Sequence, residues 1–149
     1  MKIAISSDHA GYNLKQTILQ YVKQQLNYEI SDMGPYSNAS VDYPTYAKKV
    51  AEAVSRNNFN FGILICGTGV GISISANKVN GIRCALCNDP YTAMLSRMHN
   101  DSNVLAIGAR IVADDLAKHI IKTWLQTPFE DDSRHKNRIK MIHSIEETV

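Results

Sequence analysis

Gly62-Ile63-Leu64-Ile65-Cys66-Gly67-Thr68-Gly69-Val70-Gly71-Ile72-Ser73-Ile74-Ser75-Ala76-Asn77-Lys78 is the stretch on which the reading of the fold turns: an apolar run stops at a cysteine, and glycines then alternate with other residues. An unbroken apolar run bounded by glycine predicts a strand buried on both faces. The glycines permit a sharp turn and a close approach of backbone to ligand, and the residues beyond them open a helix. The first amides of a helix lack intrahelical acceptors and stand at the positive end of its dipole, so this loop is expected to face an anion. A thiol beside such donors is a candidate for chemistry, because helix N-terminal amides can favour the thiolate.

The same strand-to-helix unit recurs on either side. Lys2 to Ser6 reads as a short strand ending in Ser7-Asp8-His9-Ala10-Gly11, and Leu14, Ile18, Tyr21 and Val22 then follow helical spacing. Asp8 can be read as a helix N-cap or as a functional acid, and His9 as an exposed loop residue or a ligand contact. Tyr28 to Met33 predicts a half-exposed strand closed by Gly34-Pro35, and a loop carrying Asp42-Tyr43-Pro44 leads to a helix from about Tyr46 to Ser55. Downstream, Ile82 to Asn88 reads as a strand, and Asp89-Pro90 opens a helix that ends at Arg97-Met98-His99-Asn100-Asp101. Val104 to Ile107 is another buried-type strand, closed by Gly108-Ala109-Arg110, and Ala113 to Gln126 is amphipathic with Leu116, Ile120, Ile121 and Trp124 inward.

This alternation, repeated about five times, implies an α/β fold: a mainly parallel sheet of about five strands with helices on both faces. Ligands of such sheets bind beyond the C-terminal strand ends. Asp8-His9, Cys66 to Gly71, Asp89 and Gly108 to Arg110 would share that edge. Beyond Pro128 a final helix starts at Ser133 and covers about 134–147. Arg134, Arg138, Met141 and Ile145 fall in one narrow sector of it, so the two arginines share a face with the apolar residues expected to dock the helix. That placement directs them at something anionic against the protein body; the competing reading is a snorkelling pair at the rim.

Composition narrows the function classes. At 149 residues, 44% hydrophobic and 20% charged, the chain is expected to form one globular domain over 1–149. A net charge of +2 without a dense Lys/Arg cluster argues against nucleic acid or an anionic membrane, so an anionic partner should be small. The N-terminus lacks the apolar length of a signal core or membrane span, and a cytoplasmic location is expected. Three cysteines make no disulfide framework. Cys84 and Cys87 stand three apart on a predicted strand, hence on opposite faces, which disfavours a shared metal or disulfide. No metal motif of H-E-x-x-H or paired C-x-x-C type occurs, which argues against a metal-dependent hydride shift, and no metal is expected.

Three readings of the glycine loop compete. A nucleoside-triphosphate loop requires G-x-x-x-x-G-K-[ST], which is absent. A dinucleotide fingerprint is supported by Gly67-x-Gly69 with Asp89 about twenty residues on, but its third glycine falls on Ile72. The third reading has Cys66 as base or nucleophile, with the Gly67 to Gly71 amides stabilising an oxyanion; against it stands an ordinary buried cysteine.

Cys66-Gly67-Thr68-Gly69-Val70-Gly71, Asp8-His9, Asp42-Tyr43-Pro44, Ser96-Arg97-x-His99-Asn100-Asp101 and Gly108-x-Arg110, in that order along essentially the whole chain, resemble the ribose-5-phosphate isomerase B group of the ribose/galactose-phosphate isomerase family. The resemblance implies a three-layer Rossmann-like fold and a cofactor-free aldose–ketose isomerase. It would interconvert D-ribose 5-phosphate and D-ribulose 5-phosphate through an enediolate, in the non-oxidative branch of the pentose phosphate pathway. It also implies a homodimer or homotetramer with active sites drawn from more than one subunit. By the same resemblance, Cys66 is the base at C2, Thr68 assists proton movement between O1 and O2, and His99 opens the furanose ring. Asp8, Tyr43 and Asn100 would contact the sugar, and Gly67, Gly69, Val70 and Gly71 the enediolate. His9, Arg110, Arg134 and Arg138 would hold the phosphate. The alternatives are a hexose-phosphate isomerase for galactose 6-phosphate or allose 6-phosphate, and a small nucleotide-binding module.

Overall fold

Five strands run in parallel because each is followed by a helix that returns the chain across the sheet before the next begins. The computed structural model describes residues 1–147. Its strands are β1 (Lys2–Ser7), β2 (Glu29–Asp32), β3 (Phe61–Cys66), β4 (Cys84–Leu86) and β5 (Val104–Gly108). Its helices are α1 (Tyr12–Gln24), α2 (Tyr43–Ser55), α3 (Val70–Ala76), α4 (Pro90–Asn100), α5 (Asp114–Gln126) and α6 (Ser133–Glu146). The strand order is β2-β1-β3-β5-β4 and every pairing is parallel. The expected Rossmann-like α/β fold is therefore present, with a wholly rather than mainly parallel sheet.

Side-chain alternation along the central strands divides the core in two. Ile3, Ile5, Ile63, Ile65, Leu105 and Ile107 pack with α1 and α5, and Ala93 of α4 joins them. Ala4, Leu64, Cys66, Val104 and Ala106 point the other way, against α2 and α3. Steps of the chain in one direction across the sheet carry α1 and α4 on one face, and steps in the other direction carry α2 and α3 on the opposite face. A single hand of crossover produces this division. Because both faces are covered, these strands read as continuous apolar runs. Trp124, fully buried, donates its indole N–H to Ser102 Oγ at 2.8 Å, which satisfies its polar edge within the core.

Cys87 packs in the α1/α5 cluster and Cys84 against the α2/α3 cluster, so the pair does lie on opposite faces. Burial pushes both thiols up from their ordinary range. Among the described residues no helix is long and apolar enough to cross a membrane.

Several local expectations shift. β4 is three residues rather than seven, because as an edge strand it pairs only with β5 and its entry is tied to side chains: Asn77 Oδ1 accepts from Cys84 N–H, and Asn103 Oδ1 from Arg83 N–H. α2 begins at Tyr43, three residues early, since Pro44 falls in the first turn where a missing N–H costs nothing. On α5 it is Ala117, not the exposed Leu116, that faces the sheet. The largest correction concerns α6. Met141 and Ile145 are 61% and 65% exposed, and Arg134 and Arg138 are exposed with them. The face turned to the body carries His135, with Ile139, His143 and Glu146 half-buried. Polar anchors explain the reversal: Asp132 Oδ1 accepts His135 N–H at 2.7 Å, and the Glu146 carboxylate accepts Gly81 N–H at 2.9 and 3.0 Å.

One buried charge fixes the exit of β2. Lys15 on α1, fully buried, donates to Asp32 Oδ1 and to Pro35 O, each at 2.6 Å. Asp32 Oδ1 also accepts Gly34 N–H at 2.9 Å, while Gly34 O takes the Ser6 hydroxyl at 2.7 Å. Helix, edge strand and central strand are thereby tied at the start of the segment that leads to Tyr43. Removing one partner of a buried pair leaves the other charge poorly compensated. Lys15→Met should cost about 2–4 kcal/mol, at or below the usual range for a broken buried pair because Asp32 keeps 22% exposure. Urea unfolding measures this; an unchanged midpoint would remove Lys15 from the account.

Candidate active site

The sheet's topology creates a crevice where β1 and β3, adjacent in space, send their chains to opposite sides, which is where open α/β sheets bind ligands. Asp8 follows β1 and Cys66 ends β3. The backbone closes that gap: Asp8 N–H donates to Ile65 O at 3.0 Å. Gly11 lies against the same carbonyl, since a Cβ there would stand 2.5 Å from Ile65 O. Asp8, 7% exposed, accepts Gly11 N–H on Oδ1 at 2.9 Å. It therefore serves a cap-like role with one oxygen, which leaves the other available to a ligand.

Cys66 is buried and reduced, and its Sγ accepts Gly69 N–H at 3.1 Å. Gly69 can aim this amide because it holds φ +77°, and a Cβ would collide with Leu86 at 2.4 Å. Thr68 is exposed, with Oγ1 3.3 Å from Val70 N–H, and Val70 is exposed beside it. Two loop amides are thus engaged by Cys66 and Thr68. α3 has only seven residues, so the remaining loop amides rather than a long helix dipole are what an oxyanion would meet.

Two side chains cover the loop glycines. The Arg110 guanidinium lies over Gly67, where a Cβ would be 3.1 Å from Nη1, and the Tyr43 ring and hydroxyl lie 2.6–2.8 Å from a Cβ at Gly71. Arg110 is positioned through its backbone, whose N–H donates to Gly67 O at 2.9 Å, while its guanidinium has no polar partner among the described residues. His9 meets the main chain of Val41 through Nδ1, at 3.2 Å from O and 3.3 Å from N, joining the β1 exit to the segment before Tyr43. Asp8, His9, Tyr43, Cys66, Gly67, Thr68, Gly69, Val70, Gly71 and Arg110 accordingly lie along one edge, the edge expected for Asp8-His9, Cys66 to Gly71 and Gly108 to Arg110 from their places at strand ends.

His99 and Asn100 do not join them. α4 runs back against the strands, so its C-terminal turn reaches the edge where strands begin. Asn100 O accepts Arg83 Nε–H at 2.9 Å just ahead of β4, and Asn103 O accepts Gly62 N–H in β3. β3 alone separates that edge from Cys66 by roughly 16 Å at about 3.3 Å per residue. Arg134 and Arg138 share the far edge: α6 starts beside α4, with the His135 ring stacked on His99 at 4.6 Å between centroids. Within one chain the sequence-derived site is therefore divided in two.

Asp89, the acidic residue of the dinucleotide reading, is committed to structure. Its carboxylate accepts the N–H and the hydroxyl of Thr92, each at 2.8 Å, capping α4. These bonds hold its carboxyl below the usual range. With Ile72 buried where a third glycine is required, the nucleotide-binding alternative is not favoured. Glu130 and His135, which no sequence motif marks, surround His99; His135 sits three residues after its Asp132 cap, a spacing visible in the sequence.

The ribose/galactose isomerase family model matches residues 3–142. Ribose-5-phosphate isomerase B of Escherichia coli (strain K12) is 49% identical over 146 residues, spanning 98% of this chain and 97% of that protein. The structure of ribose-5-phosphate isomerase B from Clostridium thermocellum superposes with a TM-score of 0.96 at 52% identity, covering 99% of both chains. That of the Mycoplasma genitalium protein, with bound ribulose-5-phosphate, gives 0.93 at 41% identity over 99% of this chain and 97% of that one. With 98–99% of its length aligned to these relatives, the chain belongs to the ribose/galactose isomerase family.

Proposed function

We propose that the chain is a ribose-5-phosphate isomerase, interconverting D-ribose 5-phosphate and D-ribulose 5-phosphate through an enediolate in the non-oxidative pentose phosphate pathway of the cytoplasm. The observation that carries this reading is Cys66: a reduced sulfur at the crevice between β1 and β3, held by the Gly69 amide and flanked by Arg110 and Tyr43 over adjacent glycines.

Cys66 takes the C2 proton of the open-chain aldose and returns it to C1. The Thr68 hydroxyl moves a proton from O2 to O1, and the unengaged loop amides stabilise the intermediate's charge, where fixed donors lower the barrier most. The free oxygen of Asp8 and the Tyr43 hydroxyl hold the sugar, and His9 and Arg110 hold the phosphate.

His99 opens the ring, but it does so at the Cys66 edge of a second copy. The division of the site supports this, as does the surface. Val70 and Ile74 of α3 are 48% and 56% exposed near the catalytic edge, and the α6 stripe of Arg134, Arg138, Met141 and Ile145 lies open at the other. A homodimer, alone or within a tetramer, that seats the α4/α6 end of one copy over the Cys66 loop of its partner buries both. It also supplies Asn100 to the sugar and Arg134 and Arg138 to the phosphate.

Cys66→Ala removes the base while leaving the loop's backbone in place. Turnover should fall about 10²–10⁴-fold with little change in melting temperature; loss of less than about threefold would overturn the assignment. For substrate choice, kcat/KM on ribose 5-phosphate should exceed that on galactose 6-phosphate and allose 6-phosphate by about tenfold or more. A higher value on either hexose phosphate would transfer the function to the six-carbon alternative.

A further inference from the structure

His99, Glu130 and His135 reach one point from three different elements. His99 lies in the last turn of α4, His135 in the first turn of α6, and Glu130 in the connection between α5 and α6. Glu130 is fixed beside α4 by its own N–H, which donates to Met98 O at 2.9 Å. The Nε2 atoms of both imidazoles face the same oxygen, Glu130 Oε2, at 3.9 Å from His99 and 3.8 Å from His135. These separations are too long for hydrogen bonds, so the carboxylate satisfies neither ring.

His135 makes this arrangement more than a surface cluster. Its side chain is 4% exposed, and neither Nδ1 nor Nε2 has a hydrogen-bond partner. A buried imidazole without a partner on either nitrogen is uncommon in folded proteins and calls for an explanation. A cation held between the rings and the carboxylate supplies one for Nε2, the nitrogen turned toward Glu130.

We propose that His99, Glu130 and His135 form a binding site for a divalent transition-metal ion of the zinc type. Two imidazoles and one carboxylate are a donor set that zinc accepts and that magnesium or calcium, which prefer oxygen alone, does not. The ligand atoms all lie within 4.8 Å of one another. Bonds of about 2.0–2.2 Å in tetrahedral array place ligand atoms about 3.4 Å apart, so closure brings pairs together by up to about 1.4 Å and turns the His99 ring out of its stack on His135 until both lone pairs converge. The side chains of His99 and Glu130, 38% and 53% exposed, make the movement while buried His135 stays in place. A fourth position is open to water or to Asp132, whose Oδ2 stands 3.7 Å from His135 Nε2 while Oδ1 remains on the α6 cap.

Occupation engages the His99 lone pair, so the ion acts as an inhibitor of the isomerase; this consequence rests on the ring-opening role given above to His99, whereas binding itself does not. The test titrates Zn²⁺ into the full-length Cys66→Ala chain, which lacks the competing catalytic thiol, and follows Co²⁺ binding by its visible absorption. One ion per chain is expected, weakened at least about tenfold by Glu130→Gln, a change at an exposed side chain that does not put folding at stake. In the chain with Cys66 intact, Zn²⁺ should suppress turnover of ribose 5-phosphate. Glu130→Gln should keep its metal-free turnover and resist that suppression. Absence of binding, or binding unaltered by Glu130→Gln, overturns the site. Binding that Glu130→Gln weakens but that leaves turnover intact upholds the site and removes His99 from the proposed mechanism.

Discussion

The parallel pairing of β1 with β3 is the constraint on which the rest depends. Its register sets Ser7 opposite Ile65, and the next step of each chain brings Asp8 and Cys66 out together at the same edge. Everything proposed for that edge follows from two backbones leaving the sheet side by side. The Asp8 amide caps the Ile65 carbonyl, Gly11 passes close over it, and the glycine loop turns beneath Arg110 and Tyr43. Close approach is what the glycines provide: side chains at 69, 71 and 108 would occupy space already held by Leu86, Tyr43 and the Thr68 backbone.

The same topology keeps the two halves of the proposed site apart within one chain. When all strands run one way, each helix ends at the edge where the strands start, so the C-terminal turn of a helix cannot meet a catalytic loop of its own sheet. His99 and Asn100 are held to that rule, with Asn100 O bound by Arg83 and the following segment tied to β3. A second copy is the economical way to bring a helix end and a strand end together. The exposed stripe of α6 has the composition for that task, two arginines among apolar side chains, with Arg138 lacking any polar partner among the described residues.

Much of this was legible in the sequence, for reasons that differ by element. β3 and β5 are covered on both faces and so read as apolar runs, and the Cys66 to Gly71 loop announces itself because close backbone packing demands glycine. Periodicity overextends β4, because it marks burial and cannot show where an edge ladder ends. The stripe of α6 misleads for a related reason. An apolar stripe identifies a face that seeks cover without saying whose surface covers it, and here the chain's own body is met by His135 and Glu146 instead. Glu130 and His135 left no apolar or glycine signal; their juxtaposition with His99 arises from the packing of α6 against α4. Lys15 is the opposite case, a charge that helical patterning would place near solvent and that tertiary hydrogen bonding holds fully buried.

The central claim is that one working site takes its sulfur from one copy and its ring-opening histidine from another. Co-expression of Cys66→Ala chains with His99→Asn chains tests it most directly, each being nearly inactive alone. Random pairing makes half of the dimers mixed, and each mixed dimer regains one intact site of two, so activity should return to about a quarter of the wild-type value. Recovery no greater than the sum of the two variants alone would contradict the shared site.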